Sequence, residues 1–143
     1  MQTFLPYKEF TLCARVLDWR RLGKQRAECK QILNALERGG GWSNHPAVKM
    51  WQGYEDALKL YTNTIIVEWE RRGYNNNMPL YEHDVPEMPW WLGSYRLHSS
   101  HRSNLLRKDP EWYGKFPWKE TPDLEYFWPG GKSESQKRFK ALT

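Results

Sequence analysis

A chain of 143 residues with 22 Lys plus Arg against 17 Asp plus Glu, net charge +5, is too short for two full domains. It is long enough to bury about two-thirds of its unfolded surface without disulfide or metal staples. With 9 Trp, 8 Tyr and 5 Phe in a background of mean hydropathy −0.90, it is no disordered polyelectrolyte.

No window approaches the ~18 apolar residues of a membrane span, and the start MQTFLPYKEF lacks the basic-then-apolar pattern of an export signal. The expectation is a soluble cytoplasmic protein with Cys13 and Cys29 as reduced thiols. Taken in chain order, Asp18 reads as an N-cap, and Leu22, Cys29, Ile32, Leu33 and Leu36 mark one face of a first helix over residues 19–38. Gly39, Gly40 and Gly41 end it. Pro46 suits a first helical position, and Trp51, Tyr54, Leu58, Tyr61, Ile65 and Trp69 recur three or four residues apart. That spacing predicts a second, longer helix, bent at Gly53 and stopped by Gly73.

Residues 74–93 hold three prolines and no sustained period, so they read as an irregular connection. A third helix is expected from Ser94 to about Lys108, with His98, His101, Arg102 and Leu105 on one stripe and Pro110 marking its end. An aromatic, proline-rich arm follows. The fold class is therefore all-α: one domain over residues 1–130 with three main helices and an irregular C-terminal arm, then a mobile basic tail over 131–143.

Charge is concentrated. Arg15 to Lys30 holds six basic and two acidic residues, and Ser94 to Lys108 four basic and none acidic. Basic segments with aromatic neighbours suit a polyanion, because cations neutralise phosphates and rings stack on bases; a solvated helix face reads equally well. On the first helix, Arg21, Lys24 and Glu28 share the shoulder of the apolar face, with Gln25 pointing almost into it. A carboxylate at such a boundary suits proton transfer or stabilisation of a cation, although Glu28 and Lys24 also fit a surface pair at i, i+4. His98 and His101 at i, i+3 lack a third metal ligand at a recognisable spacing; beside Arg102 and Lys108 they read as groups facing phosphate or substrate. Gly131, Lys132 and Ser133 copy the end of a phosphate-binding loop, but Tyr126 stands where its first glycine belongs.

Three segments in order, LDWRRLGKQRAE ending at Glu28, Asn44-His45-Pro46, and DPEWYGK at 109–115, together with EWERRGY closing the second helix, resemble the pyrimidine-dimer DNA glycosylases, the endonuclease V type of phage and bacteria. The resemblance implies a small all-α enzyme without cofactor or metal that flips a nucleotide out of duplex DNA and cuts the glycosidic bond of a damaged pyrimidine. It implies an N-terminal α-amine as nucleophile and a helix glutamate, matched by Glu28, that stabilises the resulting iminium. Arg21, Lys24 and Arg26 would grip phosphates around the lesion, Arg102, Lys108 and Lys115 would extend the contact, and Trp112 and Tyr113 would line the lesion pocket or pack the arm. Asn44 and His45 fall in a matching motif. As a class, α-amines titrate near ~8, so they need little help to be nucleophilic.

Two positions depart from the pattern. Residue 2 is Gln2, too bulky for efficient removal of the initiator, so Met1 is expected to keep the amine; Ala27 stands where the phage enzymes resemble one another in carrying arginine. The expected partner is double-stranded DNA with a damaged or modified pyrimidine, with no membrane and no obligate protein partner, at the nucleoid. The activity is glycosylase with or without abasic-site lyase. The alternatives are a nucleic-acid-binding module that has lost the amine chemistry and a metal-dependent nuclease built on His98 and His101.

Overall fold

The computed structural model describes residues 1–135 and shows an all-α fold without strands among them. Helix α1 (Phe10–Val16) buries Phe10, Cys13, Ala14 and Val16. Helix α2 (Trp19–Arg38) starts where the Asp18 side chain accepts the Arg21 N–H, and it ends at Gly39 and Gly40, whose φ of 73° and 103° lie in the left-handed region. A 3₁₀ turn (Gly41–Asn44) leads into α3 (Pro46–Lys49), capped by the His45 ring. Helix α4 (Glu55–Arg71) follows, then the irregular 74–93 connection. Helix α5 (Tyr95–Lys108) is capped by Ser94, and the single turn α6 (Pro110–Tyr113) by Asp109.

Packing centres on α2 against α4, with α1 also on α4. Gly23 permits the close crossing: a Cβ there would stand 2.8 Å from the Trp69 ring. Three main helices become four of seven residues or more, because α1 is too short to show a period; the expected long second helix is also broken into α3 and α4. Gly53, at φ 84°, breaks it, and the arm fills the break. Gly131 is buried against the Lys49 and Gln52 carbonyls, and Lys132 N–H donates to Gln52 O at 2.9 Å. Trp90 Nε1 donates to Gly131 O at 3.0 Å. Packing therefore continues through the predicted boundary at 130, while the tail from 136 to 143 lies outside the described residues.

Cys13 and Cys29 are buried free thiols pushed up to about 12 by burial, which leaves little reactive thiolate. Among the described residues no helix is long and apolar enough to cross a membrane.

Candidate active site

Residues 2–5 (Gln2, Thr3, Phe4 and Leu5) are at most 7% exposed, yet they form neither helix nor sheet. Buried backbone groups need partners, and here side chains supply them. Gln2 N–H donates to Glu28 Oε2 at 2.7 Å, Phe4 N–H to Gln25 Oε1 at 2.7 Å and Leu5 N–H to His101 Nδ1 at 2.8 Å. The Gln2 carbonyl accepts from Gln25 Nε2 at 2.6 Å, the Phe4 carbonyl from the Tyr61 hydroxyl at 2.6 Å and the Pro6 carbonyl from Arg102 at 2.8 Å. Trp51 Nε1 donates to Thr3 Oγ1 at 3.1 Å.

The two histidines take opposite tautomers. His98 Nε2 accepts from Gly93 N–H, so its Nδ1–H donates to Leu5 O at 2.7 Å; His101 accepts at Nδ1 and carries its proton on Nε2. Burial lowers both, His101 to about 3. The unfolded chain takes up these protons near pH 6.5 and the fold only at lower pH, for His101 far lower. The unfolded state therefore binds more protons in between, and stability falls as pH drops through that window. Urea midpoints should decline between pH 7 and 5, before carboxylates titrate, and His101→Asn should flatten that decline. An unchanged slope in the variant would exclude His101 as its source.

The segment ends on the floor of a cleft of about 810 Å³ lined by Met1, Gln2 and Glu28, with the cations Arg20, Arg21, Lys24 and Lys108 and the rings of Trp19, Trp112, Tyr126 and Trp128 around them. Peptide bond lengths keep the Met1 amine within about 3.7 Å of the Gln2 nitrogen, and that nitrogen is bonded to Glu28. Glu28 Oε1 stands 3.7 Å from Lys24 Nζ, whose side chain is 76% exposed, so the ammonium remains available. Burial lowers Lys108, as do Arg21, Arg107 and Lys24, so the cations crowd one another and a bound phosphate would relieve them.

Asp18 anchors this wall. Burial raises its carboxyl, but the Tyr113 hydroxyl and Arg21 outweigh that and hold it below the carboxylate range. Arg21 Nη1 lies 3.1 Å from Asp18 Oδ1.

Of the predicted site residues, Met1, Glu28, Arg21, Lys24, Lys108 and Trp112 share the cleft, and Lys115 sits 3.5 Å over the Trp112 ring. His45 packs edge-on at 6.1 Å to Trp128; it is lowered by burial and then by the charge of the N-terminal amine, and so borders the cleft. Asn44 is exposed at the end of the 3₁₀ turn. Six expected DNA contacts are turned inward or aside. Gln25, His98, His101 and Tyr113 are buried, the first three on the N-terminal segment and Tyr113 on Asp18, because unpartnered backbone and a helix cap claim their polar atoms. Arg102 pairs with Glu120 at 2.8 Å and holds Pro6. Arg26 turns away, stacked 4.3 Å over Trp69 and bonded to Asn76. No group of three or more His, Cys, Asp or Glu among the described residues could hold a metal. Sequence reasoning missed Gln2, Trp19, Tyr126 and Trp128 as lining residues; the only signal was aromatic density in the arm.

No curated protein and no solved structure matches the chain. The family model for pyrimidine dimer DNA glycosylase matches residues 1–82. The match takes in α1 to α4, with Met1, Arg21, Lys24 and Glu28, and leaves Lys108, Trp112 and the arm outside. Since the matched stretch is more than half of the chain and carries the acidic and amine-bearing floor of the cleft, this protein belongs to the pyrimidine dimer DNA glycosylase family, a family of DNA repair glycosylases.

Proposed function

We propose that the protein excises a damaged pyrimidine from double-stranded DNA with the Met1 α-amine as nucleophile and Glu28 as its carboxylate partner, and then cleaves the abasic strand. The observation that carries this reading is the 2.7 Å bond from Gln2 N–H to Glu28 Oε2, which ties the carboxylate to the residue next to the amine on the floor of a cationic, aromatic cleft. The neutral amine attacks C1′ of an extruded nucleotide. The C1′–N1 bond breaks with its electron pair on the base, which takes up a proton; the amine, now bonded to C1′, loses one proton, and the C1′–O4′ bond then opens with O4′ taking up a proton to leave a protonated iminium at C1′. Glu28 offers that cation its counter-charge. Loss of a C2′ proton then expels the 3′-phosphate by β-elimination.

Arg21, Lys24 and Lys108 would neutralise phosphates beside the lesion, while the rings receive bases; extrusion is easiest for a base that already stacks poorly. The chemistry needs no cofactor, metal or protein partner, and its setting is the cytoplasm, at the nucleoid. Lys24 pairing with Glu28 is too loose to hold the carboxylate as mere surface decoration. The retained carboxylate beside the amine also favours this reading over a module that only binds.

Borohydride trapping tests it on two duplexes, one with a thymine dimer and one with an abasic site. Reduction should freeze the iminium as a covalent adduct mapping to Met1 on both, and acetylating the α-amine should abolish both bands. A band on the abasic duplex alone would keep the amine chemistry and reassign the base. No band on either would overturn the amine mechanism.

A further inference from the structure

Of the nine tryptophans, Trp42 is the most exposed, at 60%. Single exposed apolar side chains are ordinary, but this one is held in place and adjoins the cleft. Gly39 and Gly40 turn the chain at positive φ, and the 3₁₀ turn behind them is pinned. Ser43 N–H and Oγ both donate to Gly40 O, at 3.1 and 2.7 Å, and His45 N–H donates to Trp42 O at 3.0 Å. His45 Nδ1 in turn accepts the Ala47 N–H at 3.0 Å. The Trp42 ring lies 6.0 Å from His45, His45 stands edge-on 6.1 Å from Trp128, and Trp128 lies 5.4 Å from Tyr126. The last two line the cleft, so a continuous row of rings leads from its wall to the open indole. His45 also feels the charge of the N-terminal amine, which places the row beside Met1. The other strongly exposed tryptophan, Trp19 at 53%, has Arg20 5.4 Å over its ring. Among the described residues, Trp42 has neither a cation over its ring nor a hydrogen bond at its indole N–H.

We infer that Trp42 is a stacking contact, on the rim of the cleft and outside it, for a nucleobase left exposed where the lesion interrupts the duplex; the inference rests on the glycosylase reading above. An aromatic ring binds any base through its π face, so the contact is indifferent to which base is exposed. It does need a face, and in an undamaged duplex each face is covered by its neighbours in the stack. The indole therefore adds affinity at a damaged site and little on intact DNA. That separates it from Arg21, Lys24 and Lys108, whose phosphate partners are present on both. A protein is the poorer occupant, because the row of rings runs into a cleft whose cations suit a polyanion.

Trp42→Ala removes the face and Trp42→Phe keeps an aromatic one; an exposed side chain without hydrogen bonds can be removed without unfolding the chain, which unchanged urea midpoints verify. Binding is measured on a duplex carrying a tetrahydrofuran abasic analogue, which the amine cannot cleave, and on the same duplex undamaged. Trp42→Ala should weaken binding to the first roughly tenfold or more, the range for losing one ring–base stack, and change the second by less than about twofold. The salt slope should stay as in wild type on both, because no phosphate contact is lost. Trp42→Phe should restore most of the affinity. Equal weakening on the two duplexes, no weakening on either, or no restoration by phenylalanine would overturn the assignment of Trp42 while leaving the glycosylase reading intact. A wild-type protein that forms no borohydride adduct on the thymine-dimer or the abasic duplex would instead defeat that reading and the inference with it.

Discussion

Glu28→Gln is expected to lower excision and abasic-site cleavage by roughly 10²–10⁴-fold, the range for losing a positioned proton-transfer group, while DNA binding is retained or tightened. Glutamine can still accept the Gln2 N–H through its own Oε1, so the bond that is 2.7 Å in the wild type survives. What disappears is the negative charge facing the developing iminium. Removing an anion from a cleft that holds Arg21, Lys24 and Lys108 makes its potential more positive, hence the sign for affinity. Single-turnover rates with filter binding on the same duplex separate the two effects. Wild-type rates in the variant would remove Glu28 from the mechanism.

Gln25→Leu should produce the largest loss of stability, on the order of 3–5 kcal/mol, because it strands Phe4 N–H and Gln2 C=O in the core and buried groups left unpaired cost about 1–3 kcal/mol each. Tyr61 keeps one bond, to Phe4 O at 2.6 Å, so the tyrosine is not orphaned as well. Against the usual 5–15 kcal/mol for a domain, such a loss brings the fold close to its limit. Urea unfolding with an unchanged slope and a lower midpoint would register it. A change below about 1 kcal/mol would mean that the N-terminal segment relaxes without its amide clamp.

Helices α2 and α5 were legible because their boundaries are local: Asp18 and Ser94 cap through their own side chains, and Gly39 supplies a left-handed stop. The break between α3 and α4 was legible only as a bend at Gly53, because it is filled by residues 131 and 132 from the far end of the chain. The stripe of His98, His101 and Leu105 was found correctly but turned the wrong way; spacing says which residues share a face, and Leu105, fully buried, was the member that marked the face as inward. The polar residues of the core follow from one fact that no periodicity carries. An extended segment with no partner strand lies in an all-helical protein, and Gln25, Tyr61, His98 and His101 do the pairing that a sheet would otherwise do. In the cleft, Arg21, Lys24 and Glu28 were legible from helical spacing alone, whereas Tyr126 and Trp128 come from an arm whose course local sequence does not specify.

Synthesis runs from the N-terminus, so residues 2–5 leave the ribosome before the side chains that seat them. Leu5 waits for His101, 96 positions downstream, and for His98, 93 positions downstream. Contacts of such long sequence separation form only after the chain between them has been ordered. A nascent or prematurely terminated chain lacking α5 therefore leaves Leu5 without His98 and His101, while Gln2 and Phe4 keep only Glu28, Gln25 and Tyr61. The cleft is complete only when the end of α5 and the C-terminal arm are in place, because Lys108, Trp112, Tyr126 and Trp128 line it, and fragments left by interrupted translation would carry the basic α2 without that enclosure.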